Sequence, residues 1–119
     1  MVTGRDGDVW IIKGGGGLKL SEVPPFLRPL YENDPDLYRV VSQALDLAHS
    51  EGALDKKTKV LISMVIDALA AHPEGVEALA REARELGASD AEIAEALRMA
   101  FTGGGLPALI CGFPAYRRS

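Results

Sequence analysis

Few side chains in this sequence can move a proton, bind an anion or attack a bond at neutral pH. His72 leads them. An imidazole is a side chain suited to general acid–base work, and this one stands directly before Pro73. The plainer account is an exposed, inert helix cap, and a lone histidine proves little without partners. Lys59, Ser63 and Asp67 recur every four residues inside an apolar run, so they share one helical face. A carboxylate there needs a partner or a water-facing side. Lys59 with Asp67 could line a ligand groove, and a polar stripe facing solvent or a subunit channel is the blander reading. Cys111, the one cysteine, follows Leu109-Ile110. Free thiols among apolar neighbours behave as small core residues, and reactivity would need a cationic neighbour. His49 falls at a helix end, where its charge suits the dipole. Two histidines so poorly matched with carboxylates argue no zinc site.

The bulk composition narrows the function classes. A chain of 119 residues builds one core and little more. Apolar residues make up 47% and charged residues 25%, an ordinary globular composition that argues against a disordered chain. A net charge of −4 with interspersed signs disfavours a nucleic-acid partner, which needs a clustered basic face. Leu61 to Ala71 is too short to span a bilayer and is broken by Ser63 and Asp67, so no membrane association is expected. A lone cysteine forms no intrachain disulfide, and Met1 to Asp8 lacks an apolar h-region. These features point to the cytoplasm. Gly14 to Gly17 lacks the Gly-Lys-Ser/Thr ending and the GxGxxG context of nucleotide loops, so no cofactor is expected.

The elements that must position these residues read as an arm, residues 1–23, and an all-α domain, residues 24–119. In the arm, Val9 to Ile12 and Leu18 to Leu20 flank the Gly run. They make either a β-hairpin or a flexible arm. A short turn through Phe26 to Tyr31 precedes Asp34-Pro35, a cap followed by Pro in the first turn. Leu37, Val40, Val41, Ala44, Leu45 and Ala48 keep helical spacing until Gly52 ends the run. Asp55 caps a helix from Lys56 to about Ala71. It is apolar nearly all round, so its own domain or another subunit must bury it. Pro73 opens the next helix, whose buried stripe is Val76, Leu79, Ala80 and Ala83, and Gly87 stops it. Ser89-Asp90-Ala91-Glu92 is a capping box, and Ile93, Ala96, Leu97, Ala100 and Phe101 continue the period to Gly103-Gly104-Gly105. Pro107 opens a last short helix through Cys111. The tail Arg117-Arg118 reads as solvated.

The order of these pieces resembles a known family. Leu54-Asp55-Lys56-Lys57-Thr58-Lys59 opens a greasy helix. Leu86-Gly87-Ala88-Ser89 with Asp90 to Leu97 follows, and Gly104-Gly105-Leu106-Pro107-Ala108 closes the segment. The layout, about half the chain without a gap, is similar to the carboxymuconolactone decarboxylase and alkylhydroperoxidase D-like family. The resemblance implies an alkylhydroperoxidase D-like helical fold and a homo-oligomer, a trimer or hexamer. It implies either decarboxylation of a muconolactone or thiol-dependent reduction of hydroperoxides through a Cys-x-x-Cys pair, helped by a Glu and a His.

With Gly87 set opposite the glycine that ends the family's motif helix, the two cysteines would fall at His72 and Gly75. The histidine would fall at Leu79 and the glutamate at Val60. None of the four positions carries the expected residue, and peroxide reduction needs a thiolate and a second thiol to resolve it. Three readings follow. The first is a diverged decarboxylase or hydrolase-type enzyme for a small carboxylate or lactone, with His72, Lys59 and Asp67 as catalytic candidates. The second is a catalytically degenerate binding scaffold for a small molecule or protein. The third is a peroxidase working through Cys111.

Overall fold

The computed structural model describes residues 2–3, 9–13, 16–19 and 22–118. Contacts gather into two compact units, Met1–Ala48 and His49–Ser119.

In the first unit, β1 (Val2–Thr3), β2 (Val9–Lys13) and β3 (Gly16–Lys19) form an antiparallel sheet in that order. β2 and β3 are the hairpin, with Trp10 opposite Lys19 and Ile11 opposite Leu18. Gly16 and Gly17, read from sequence as part of the break, belong to β3. Gly14, Gly15, Leu20 and much of the segment before Val9 lie outside the described residues. A 3-10 turn, Pro25–Leu27, leads into α1 (Arg28–Asn33) and α2 (Pro35–His49). The Asp34 carboxylate accepts from the Leu37 N–H at 3.1 Å, so Asp34-Pro35 starts α2 as its chemistry demands. α2 ends at His49, three residues before Gly52. Val23, Tyr31 and Tyr38 form a small core, the two rings meeting edge to face at 5.5 Å. The buried Tyr31 hydroxyl has no hydrogen-bond partner among the described residues. Desolvation, then the neighbouring Tyr38, raises its pKa.

The second unit is a three-helix layer made of α3 (Lys56–Leu69), α4 (Pro73–Glu85) and α5 (Asp90–Cys111), closed by a 3-10 turn at Phe113–Tyr116. Asp55 caps α3 by accepting from the Thr58 N–H at 2.7 Å. The capping box on α5 is complete: the Ser89 hydroxyl accepts from the Glu92 N–H, and the Glu92 carboxylate from the Ser89 N–H. α5 is two helices joined at Gly105, whose φ of 69° and ψ of −160° belong to glycine alone. Pro107 sits just past that break, as its fixed φ and missing N–H favour. The core is Val60, Met64 and Ala68 of α3, Val76, Ala80 and Ala83 of α4, and Ile93, Leu97 and Ala100 of α5, with Ala115 from the last turn. All-α architecture is therefore what the body adopts, and among the described residues strands occur only in the arm.

Arg117 and Arg118 are tied down more than their composition suggests. Arg117 reaches the Glu77 carboxylate at 3.5 Å, Arg118 pairs with Asp90, and Arg84 bridges Asp90 and the Arg117 carbonyl. No helix among the described residues is long and apolar enough to cross a membrane.

Candidate functional site

The corner between α3 and α4 holds His72 and Gly75, the two positions where the resemblance would set the cysteine pair. α3 ends in a Schellman turn. The His72 N–H donates to the Asp67 carbonyl at 2.9 Å and the Ala71 N–H to the Ala68 carbonyl at 3.4 Å. The residue in the left-handed conformation is Ala71, at φ 61°. His72 then takes the N-cap position of α4, but its imidazole makes no capping hydrogen bond and is exposed. The cap expected of His72 is one of position only.

Asp67 is half-buried on α3 and its carboxylate lies directly over Gly75, in the first turn of α4. A Cβ added at Gly75 would collide with the Asp67 carboxylate. The acid thus fills the space that a side chain at position 75 requires. A negative group here also faces the positive end of the α4 dipole. Cys111, from the end of α5, arrives at the same corner with its Sγ 3.9 Å from the Asp67 carbonyl oxygen. A nucleophilic thiolate is helped by a cationic neighbour, and the neighbour here is a carbonyl. Val60 is 5% exposed within the core, and Leu79 packs against the same core. These two positions serve packing.

Residues 35–117 match the family model for the carboxymuconolactone decarboxylase family. The chain belongs to the carboxymuconolactone decarboxylase family. It is similar to the apo form of a carboxymuconolactone decarboxylase family protein from Legionella pneumophila. The two share 32% identity over 76% of this chain and 81% of that one, with a TM-score of 0.66. It is also similar to a candidate carboxymuconolactone decarboxylase from Burkholderia xenovorans LB400. Here identity is 26% over 82% of this chain and 77% of that one, with a TM-score of 0.71. A search of curated proteins finds no match.

Lys59 does not join this corner of the carboxymuconolactone decarboxylase-family domain. Eight residues of α3 separate it from Asp67, about 12 Å along the axis at the α-helical rise. It lies instead at the start of α3, in a cavity of about 330 Å³ lined by His49, Ser50, Glu51, Gly52, Leu54, Asp55, Lys56 and Lys59. There the Lys59 ammonium donates to the Ser50 carbonyl at 2.6 Å. Sequence reasoning gave His49 only a place at a helix end and Lys56 only a place in the opening motif of α3, with no ligand role for either. The basic run Lys56, Lys57 and Lys59 is visible in the sequence, but that the turn returns His49 to it is seen only in the folded chain. A second cavity, about 260 Å³, is apolar and is lined by Thr58, Leu61, Ile62, Val65 and Ile66 of α3 with Ala96 and Met99 of α5. Among the described residues no three His, Cys, Asp or Glu side chains gather as a metal site would require.

Proposed function

We propose that the chain is a homo-oligomeric carboxymuconolactone decarboxylase-family enzyme acting on a small carboxylate or lactone by proton transfer, without thiol redox chemistry. The observation that carries this reading is the Asp67 carboxylate over Gly75. At the second motif position there is an acid where redox chemistry would need sulfur. A carboxylate and an imidazole on adjoining elements can accept and return protons, and neither can be oxidised and recycled as a dithiol. Asp67 is the proton acceptor in this scheme and His72 the mobile second group. Lys59 acts from the far end of α3, by attracting the substrate anion.

The test is a panel of lactone acids and organic hydroperoxides assayed on the full chain. Turnover is expected on a lactone acid, with Asp67→Asn lowering kcat by about 100-fold or more, the scale of general acid–base catalysis. Dithiol-dependent hydroperoxide reduction, or turnover indifferent to both Asp67→Asn and His72→Ala, would overturn the reading.

A catalytically degenerate oligomeric binding scaffold is the second reading. It is favoured by Val60 and Leu79 having been absorbed into packing and by an imidazole at His72 that makes no cap bond. Saturable ligand binding with no turnover across the panel would select it. Peroxidase chemistry at Cys111 comes third; native-state resistance of Cys111 to alkylation would end it. We also propose residues 24–119 as the family unit, supported by the match from 35 to 117, and a cytoplasmic setting, supported by the lone free thiol.

A further inference from the structure

We infer that the cavity at the start of α3 is a binding site for a small organic monoanion, a carboxylate on an apolar or lactone body, held by Lys56, Lys59 and His49. The inference takes its substrate class from the proposed function, while the site itself stands on the cavity.

Its volume, about 330 Å³, lies at the lower end of ligand-sized pockets, roughly 300–1,000 Å³. Three parts of the chain close it: the last residue of α2, the turn from Ser50 to Asp55, and the first turn of α3. The charges in the lining decide the ligand. Lys56 and Lys59 supply two ammoniums, and His49 adds a third cation when protonated. Two carboxylates also line the space, Glu51 and Asp55. Asp55 is occupied as the cap of α3, where hydrogen bonds from Thr58 hold its carboxyl below its ordinary value of 3.8. It satisfies the helix terminus, so anion binding falls to the basic side chains. The near balance of charge favours one negative group over a polyanion such as a triphosphate. Leu54 supplies an apolar wall for the rest of the molecule. Lys59 is anchored in place by the Ser50 carbonyl, which lowers the ordering cost of binding through it.

The experiment titrates isotope-labelled full-length protein with 5-oxotetrahydrofuran-2-carboxylate. Its amide serves as an uncharged control, and inorganic phosphate as a rival anion. Saturating backbone shifts confined to residues 49–59 are expected, with the amide at least tenfold weaker. Lys56→Gln and Lys59→Gln should each weaken binding about fivefold or more, and Lys59→Arg should retain most of it. Lys59→Gln also removes the anchor on Ser50, so Lys56→Gln, at an exposed position, is the cleaner variant. Shifts that do not saturate, equal affinity for the amide, indifference to Lys56→Gln, or tighter binding of phosphate would each overturn the assignment. Binding without turnover would instead leave this site standing and remove the enzymatic reading.

Discussion

Asp67 and Gly75 are the pair on which the proposed chemistry turns. Their relation is steric as well as electrostatic. Because the carboxylate lies against the bare backbone of Gly75, Gly75→Ala overpacks the corner and is expected to cost about 1–3 kcal/mol. Replacing Asp67 with Ser in the same chain should recover most of that loss, as residues in direct contact couple. Urea denaturation of the two single variants and the double one reads both effects, and simple additivity would contradict the contact. A second prediction at this scale concerns acid. Glu92 accepts from the Ser89 backbone N–H and pairs with Lys57 at 2.9 Å, and these contacts, the Ser89 bond first, hold its carboxyl below the ordinary value of 4.5. A depressed carboxyl contributes stability that is complete above its unfolded value and is lost as pH falls through the folded one. The denaturation midpoint should therefore be flat from pH 7 to about 5 and decline below about 4.5, with Asp55 adding to the decline. Glu92→Gln should shrink the slope; an unchanged profile would deny the box its electrostatic part.

Helix ends show how far sequence carries and where it stops. α3 and α4 finish with the same Schellman geometry. In α4 the left-handed residue is Gly87, at φ 98°, and the Ala88 N–H reaches the Ala83 carbonyl at 2.9 Å. In α3 it is Ala71. Glycine announces such a turn because it lacks the Cβ that opposes positive φ. Alanine announces nothing, so the end of α3 was legible only to within a turn, from Pro73. Ala71→Gly is expected to stabilise the protein by roughly 0.5–1 kcal/mol, and Gly87→Ala to destabilise it by about 1 kcal/mol, both by thermal unfolding. Opposite signs are the point: equal losses would mean that Ala71 is held by packing and not by its backbone. The capping box, the Asp34 and Asp55 caps and the break at Gly105 were readable because each depends on one residue's own chemistry. The cavity at the start of α3 was not readable. His49 and Lys59 are ten residues apart, and nothing in a linear pattern says that the turn between them brings both to one space.

α3 reads as apolar on nearly every side, and its own unit covers only part of it. Val60, Met64 and Ala68 are buried, while Ile62, Ile66 and Leu69 remain 44%, 55% and 47% exposed. Ile62 and Ile66 line an apolar cavity with Met99 of α5, and Leu69 lies against Gly103 and Gly104, so the uncovered surface runs continuously from α3 onto α5. Contiguous apolar surface of this kind marks an interface more often than a solvated wall. In the proposed homo-oligomer, a second copy covers it. Burying the exposed half of Ile66 contributes on the order of 1 kcal/mol, and a carboxylate forced into the same contact costs several times that. Ile66→Asp should therefore shift the sedimentation coefficient of the native protein to that of a monomer while leaving its helical circular dichroism intact, since Ile66 faces away from the core. Ile66→Leu should keep the assembly. If the native chain sediments as a monomer at tens of micromolar, or if Ile66→Asp leaves the assembly unchanged, this face of α3 is not what joins the subunits.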